Sequence, residues 1–474
     1  MLRIYPCLID GELVTTEQTM EVLNPANEQV VALVPSCGKA ELDQAVAGAR
    51  RAFKTWKKAS AQERREVVEG IAAAMLENTD ELFRLLTSEQ GKTHAQAQGE
   101  IEAAAALAAA QATLKLDDVI NEDDDTRLSR TRWVPVGVVA GIVPWNFPVA
   151  LAVQKIVPAL MAGCTIVLKP SPFTPLTTLR ICELIKDVVP AGVVNIITGE
   201  DSLGPLITEH PDIDKITFTG STAVGKKIME GASNDLKRIT LELGGNDASI
   251  VLPDADVSKV AEQLFWSTFT NAGQICVAAK RIYIHEDIYD ELSRAIAEYA
   301  RQVKVGDGSE QGTDLGPIQN KKQFERVCEL IQDAKDNGYK FLTGGDVDPS
   351  GTGYYVPITI LDNPPEDARI VVEEQFGPIM PLMKFSTSEE AIARANNSDY
   401  GLAGTVWTAD ANKGIEIAEQ LETGTVWINE FMYASPFVSR GGHKQSGFGV
   451  EYGIDGVKEF TYNQVITVKK DAFA

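Results

Sequence analysis

Several residues in this chain have types and settings that suit covalent chemistry. The first is Cys276, which ends the run Thr270-Asn271-Ala272-Gly273-Gln274-Ile275-Cys276 behind the aromatic stretch 265–269. A thiol after a small, uncharged, glycine-containing turn lies near backbone amides with room for a ligand, which is what a nucleophilic cysteine needs. A buried, inert cysteine is the plain alternative. Asn146 lies in Pro144-Trp145-Asn146-Phe147-Pro148, where two prolines stiffen a loop that could aim an amide at a developing oxyanion. Asparagine also fills turns for purely local reasons. Glu242 lies in Leu241-Glu242-Leu243-Gly244-Gly245-Asn246. A carboxyl between leucines is desolvated, which raises its pKa and suits it to general-base work. The alternative is a helix cap or an ion-paired glutamate.

Other segments suit an anionic ligand. Lys169 directly follows the apolar run 165–168, so its ammonium reaches a ribose or phosphate, unless it is an ordinary surface lysine. Thr219-Gly220-Ser221-Thr222-Ala223-Val224-Gly225-Lys226 offers glycines and a helix start to a pyrophosphate. It is not a P-loop, because Lys227 stands where Ser or Thr is required, and it is not G-x-G-x-x-G. Glu373-Glu374-Gln375-Phe376-Gly377-Pro378 supplies carboxylates that accept from ribose hydroxyls.

These segments must be held by a scaffold, and the chain is long enough for two or three domains, at 474 residues. Hydrophobic content of 44% and charged content of 23% are ordinary for a soluble protein. The net charge of −23 argues against nucleic acid and anionic membranes. Six scattered cysteines without a C-x-x-C pair, and only four histidines, argue against a disulfide framework and against a metal site. Reduced thiols of a cytoplasmic protein fit better. The start of the chain lacks a signal-peptide core. The uncharged run 134–153 is too rich in Pro and Gly for a membrane span, and reads as strand, loop and helix.

Residues 1–38 read as short strands, and 39–114 as helices including an Ala-rich one. The acidic run 121–125 reads as a solvated hairpin. From Trp133, apolar strands at 134–143, 165–168, 193–197, 215–218 and 238–243 alternate with helices at 150–162, 175–188, 202–209 and 222–231. That pattern predicts a parallel sheet covered on both faces, with ligands at the carboxyl ends of its strands. A second alternating block spans about 249–442. The terminal run 460–468 alternates, and needs a sheet edge to pair with, in this chain or on another subunit.

Taken together and in this order, the motifs resemble those of the aldehyde dehydrogenase superfamily over almost the whole chain. The resemblance rests on residues 144–148, the lysine-proline turn at 169, Phe218-Thr219-Gly220-Ser221, residues 241–246, Gln274-Ile275-Cys276, Glu374 to Pro378, and Gly441-Gly442-His443-Lys444-Gln445-Ser446-Gly447. It implies an α/β fold with three parts. A Rossmann-like cofactor domain takes 1–114 and 133–244, an α/β catalytic domain takes 245–442, and a small β oligomerisation arm takes 115–132 and 453–470. It implies a homodimer or homotetramer that uses NAD or NADP on a small aldehyde.

By the same resemblance Cys276 attacks the aldehyde, and Asn146 with the Cys276 N–H holds the oxyanion. Glu242 activates the water that releases the acid, which favours hydrolysis over acyl transfer to coenzyme A. Trp145, Gly220, Ser221 and Gly225 serve the pyrophosphate, Lys169 and Glu374 the riboses, and Phe376 the nicotinamide. Phe147, Leu151, Gln154, Ile275 and Val277 line the substrate tunnel. Two positions depart from the family. Pro172 replaces a glutamate that many NAD-preferring relatives use on the adenosine 2′-hydroxyl, so NADP is tolerated beside a slight preference for NAD. Arg440 stands where relatives place a phenylalanine, and either faces the pocket to favour an anionic semialdehyde or turns outward to an acid. Phe431, Tyr433 and Phe437 offer the alternative of an aromatic pocket. A thiol esterase and a non-catalytic descendant are the remaining readings of the same scaffold.

Overall fold

The computed structural model describes residues 2–470, which hold two large sheets, a three-stranded one and two two-stranded ones. The first sheet runs Glu12–Val14, Cys7–Ile9, Val194–Ile196, Thr165–Lys169, Val138–Ile142, Lys215–Thr219, Arg238–Glu242 and Gly447–Phe448. Its five central strands are parallel, and an antiparallel neighbour flanks them on each side. Strand order reverses direction beside Val138–Ile142, which makes its carboxyl end, with that of Lys215–Thr219, the crevice where such sheets bind ligands. The strands are buried along nearly all their length because helices cover both faces.

Local sequence explains the helix that follows the central strand. Pro148–Ala162 starts with proline at its first position and ends at Gly163, which is left-handed at φ 88°. The Ala-rich helix His94–Gln111 buries Ala97, Ala104, Ala105 and Ala108. Such small side chains let it lie close against Ala61–Glu77 and Pro148–Ala162. Leu42, Ile71, Ile101, Val153, Ile166 and Ile216 belong to the one apolar core that results.

The second sheet runs Lys340–Thr343, Thr359–Asp362, Ile379–Phe385, Ala279–His285, Asp247–Val251, Ala403–Trp407 and Thr425–Ile428. All its pairs are parallel except the first. The third sheet is an antiparallel trio of Val119–Asp123, Arg127–Pro135 and Thr461–Lys469. The acidic run therefore forms part of a hairpin, as expected.

One expectation is corrected. The strand expected over 134–143 is split between Arg127–Pro135 and Val138–Ile142. The break occurs where Asp214 accepts a hydrogen bond from the Val138 N–H at 2.7 Å and pins the start of the central strand. The terminal strand pairs with Arg127–Pro135 of its own chain, register for register. Among the described residues no helix is long and apolar enough to cross a membrane.

Candidate active site

The nucleophile candidate sits after a contorted turn. Asn271 and Ala272 have φ of 53° and 54°, and Gly273 follows at 73°. Left-handed backbone at non-glycine residues is strained and collects at functional sites. Only glycine fits at 273, because a Cβ there would collide with the Gly377 carbonyl. The Cys276 turn is thereby seated against the loop that carries Phe376, itself left-handed at φ 47°.

Asn146 is held from both ends. Its Nδ2 donates to the Gln274 carbonyl at 2.9 Å, and its own carbonyl accepts from Asn271 Nδ2 at 3.1 Å and Lys92 Nζ at 2.9 Å. The Gln274 bond uses one amide hydrogen and leaves the second free. Asn146 Oδ1 is buried without a hydrogen-bond partner. Lys92 is fully buried, pairs with Glu100 at 2.5 Å, and places its Nζ 3.8 Å from the Phe147 ring centroid. Glu100 in turn accepts from the Val149 and Ala150 N–H groups at 3.0 and 3.1 Å. These are donors that a helix start leaves unpaired.

Glu242 ends its strand beside the same space. One cavity of about 90 Å³ is lined by Cys276, Glu242, Leu151, Gln154, Val277, Arg440, Glu451 and Tyr452, among others. Burial raises the Glu242 carboxyl well above its ordinary range and the Glu451 charge adds to this, while Lys155 and Arg440 oppose it. Its Oε1 is buried without a partner. Glu451 accepts from Gln154 and from fully buried Lys155, and the Tyr452 hydroxyl donates to Gln154 Oε1 at 2.8 Å. Burial also pushes the Cys276 thiol up, to about 11; Lys280 opposes that, and Glu374, Glu242 and Asp247 add to it.

Arg440 is half-buried and lies with its guanidinium 4.5 Å from the Tyr452 ring centroid. Among the described residues it makes no ion pair with an acid. Its backbone bridges to Glu451 in both directions at 2.8 Å.

A groove of about 900 Å³ opens at the sheet crevice and is lined by Trp145, Lys169, Pro172, Gly220, Ser221 and Lys227, among others. Ser221 caps the helix Thr222–Ala232 by accepting from the Val224 N–H, so that helix points its N-terminus at the groove. Lys169 is 5% exposed, and burial lowers its pKa. Trp145 meets the Phe376 ring edge to face at 5.4 Å. Glu374 accepts from the Gly245 N–H at 3.2 Å. A long groove with a buried lysine, a capped helix start and two converging aromatic rings fits a dinucleotide.

Several expected residues lie outside these linings: Asn146 is not among the walls of the small cavity, and Glu374 and Phe376 are not among those of the groove, although Phe376 packs on Trp145 there. Gly225 does not line the groove; it faces Leu243, whose side chain would meet a Cβ there at 2.6 Å, and Val224 lines the groove instead. The Phe147 ring lies under the Lys92 ammonium rather than in the small cavity. Ile275 is buried and offers the cavity no surface; its carbonyl accepts from Lys280. Phe431, Tyr433 and Phe437 also stay outside that cavity. Lys92, Lys155, Lys280, Glu451 and Tyr452 were not expected. Lys155 had a signal, as the one charge within the apolar helix 148–162.

Comparison with known proteins agrees with this fold. The model of the aldehyde dehydrogenase family matches residues 13–466. A probable aldehyde dehydrogenase of a Pseudomonas species is 42% identical, over 98% of this chain and 95% of its own. The Escherichia coli succinate-semialdehyde dehydrogenase [NADP(+)] GabD is 38% identical, over 96% of each chain. An NAD+ complex of an aldehyde dehydrogenase from Bacillus cereus superimposes with a TM-score of 0.96 at 38% identity, covering 98% of this chain and 97% of that one. A match of this extent, on a sheet crevice fit for a dinucleotide, places the chain in the aldehyde dehydrogenase family, whose oxidant is NAD or NADP.

Proposed function

We propose that this enzyme oxidises a small anionic aldehyde to its carboxylic acid, with Cys276 as nucleophile and Glu242 as base. The observation that carries the reading is the single cavity walled by Cys276, Glu242 and Arg440. Cys276 Sγ, as thiolate, adds to the aldehyde carbon, and the oxygen takes the charge. The free Asn146 amide hydrogen and the Cys276 N–H stabilise that oxyanion. When bound, NAD or NADP would supply the acceptor for the hydride that leaves this carbon, which then remains on Sγ as an acyl group. Lys169 and Glu374 would hold its riboses, Trp145, Gly220 and Ser221 its pyrophosphate, and Phe376 the nicotinamide. Glu242 then takes a proton from the water that hydrolyses the acyl group from Sγ.

Arg440 supports an anionic substrate, because among the described residues it makes no ion pair with an acid and it lines the cavity. The succinate-semialdehyde dehydrogenase relative is named for a carboxylated aldehyde. Arg440→Phe is expected to lower kcat/KM on carboxylated aldehydes by about 10- to 100-fold, the range for losing a hydrogen bond to a charged group. Neutral aldehydes of equal length should change little. The assay is a panel of aliphatic, aromatic, amino- and carboxy-aldehydes, followed by formation of the reduced nicotinamide. Equal losses on both classes would remove the anionic reading. Acid formed without dinucleotide would favour the esterase reading.

The same assay tests the cofactor. Pro172 lines the groove and offers no charge against a 2′-phosphate. Pro172→Glu should weaken use of NADP by about tenfold or more, equivalent to about 1.4 kcal/mol of like-charge repulsion, and spare NAD. An unchanged ratio of the two cofactors would count against this placement of the adenosine ribose.

We also propose the division into a cofactor domain (1–114 and 133–244), a catalytic domain (245–442) and an arm (115–132 and 453–470), in a cytoplasmic homodimer or homotetramer. Exposed Tyr462, Val465 and Val468 on the arm's outermost strand support an assembly through it.

A further inference from the structure

Directly behind Cys276 lies a lysine that no step above uses. Lys280 enters the strand Ala279–His285 and is 2% exposed. Its Nζ donates to the carbonyl of Cys276 at 2.6 Å, of Ile275 at 2.9 Å and of Ala278 at 3.5 Å. An ammonium has three hydrogens to give, and here all are directed at the nucleophile's own turn. The nearest carboxylate, Glu374 Oε1, stands at 3.5 Å and accepts from the Gly245 N–H as well.

Two consequences follow from this placement. Three carbonyls that converge on one buried cation cannot drift apart, so the backbone that carries Sγ is clamped from behind. The turn needs such a clamp, because it arrives through three successive left-handed residues. The second consequence is electrostatic. Glu242 faces the thiol from the end of its strand in the first sheet, Asp247 from the start of Asp247–Val251, Glu374 from the loop before Phe376, and Tyr452 from across the cavity. Among the groups that weigh most on the thiol, Lys280 is the cation and Glu374, Glu242 and Asp247 are carboxyls. A fixed positive charge with little water around it acts strongly over such distances.

We propose that Lys280 is the positioning residue of the nucleophile: it clamps the 275–278 turn and stabilises the thiolate of Cys276, with Glu374 as the anion that tempers it. The proposal rests on the reading of Cys276 as nucleophile, and it is tested without turnover. The probe is iodoacetamide, applied to the full-length enzyme without cofactor or substrate across pH, with the alkylated peptide identified by mass spectrometry.

Lys280→Met should move the midpoint of Cys276 alkylation up by about one pKa unit and slow alkylation at neutral pH about tenfold. Lys280→Arg keeps the charge and should hold the midpoint near that of the parent. Glu374→Gln removes the opposing charge and should move the midpoint down. In turnover, Lys280→Met should lower kcat while the KM for the dinucleotide stays put. An unmoved midpoint in Lys280→Met overturns the proposal. If that variant fails to fold, the Glu374→Gln arm decides, and a midpoint that stays or rises there overturns it too. Full turnover by Cys276→Ser would sink the nucleophile reading alone, because the alkylation profile is read in the parent sequence independently of catalysis.

Discussion

Cys276→Ser is expected to lower kcat for aldehyde oxidation by at least about 10³-fold, the scale seen when a nucleophile that acts with its partners is removed. The site explains why serine cannot substitute. The thiol is already driven up to about 11 by burial and neighbouring carboxyls. A hydroxyl starts from a far higher pKa and would meet the same surroundings. Lys280 and the oxyanion donors cannot make up that difference. Binding of the dinucleotide should survive, because the groove is lined by other residues. Calorimetric titration with NAD or NADP, beside steady-state rates, checks both halves. A variant that retained a tenth of the parent rate would remove Cys276 from its role.

Glu242→Gln is expected to stop the reaction after the first half. The amide keeps the shape of the carboxyl and removes the base. Steady-state kcat should fall by about 10²- to 10⁴-fold, the usual contribution of a general base. Reduced nicotinamide should still appear in a burst of about one equivalent per site. Mass spectrometry of the quenched variant should then find the acyl group on Cys276. The pH dependence has a definite sign. Burial and the Glu451 charge hold Glu242 protonated to higher pH than an exposed carboxyl. Its basic form therefore grows as pH rises, and parent kcat should climb with pH until another step limits it. Glu242→Gln should lose that ascending limb. A variant that turns over at the parent rate, or accumulates no acyl-enzyme, would refute the assignment.

Residues at strand ends were the legible part of the candidate site. Asn146, Lys169, Gly220 and Glu242 each follow an apolar β-branched run, and a parallel sheet presents such positions on one edge. Helical positions were less legible, because a short motif does not say which way a helix side faces. Gly225 sits one turn into its helix and serves packing against Leu243. Ile275 flanks Cys276, which lines the small cavity, and Phe147 flanks Asn146, yet neither Phe147 nor Ile275 lines that cavity, and adjacency along the chain does not carry orientation. The supporting shell was the least legible. Glu451 meets Lys155 across 296 positions of sequence, and Lys92 reaches Asn146 across 54. Nothing local marks such partners. The break in the expected 134–143 strand has a similar origin, since Asp214 imposes it from far along the chain.

The C-terminal segment has a consequence for how the protein comes into being. Gly447 pairs with Glu242, Ser446 accepts from the Gly401 N–H and donates to the Gly244 carbonyl, and Glu451 and Tyr452 close the small cavity. A ribosome therefore makes Cys276, Asn146 and Glu242 long before it makes their last wall. A nascent chain carries the sulfur of Cys276 in an unfinished chamber until residues 446–452 have been made. Premature termination between residues 276 and 452 leaves the proposed nucleophile, Cys276, in a chamber that cannot shut.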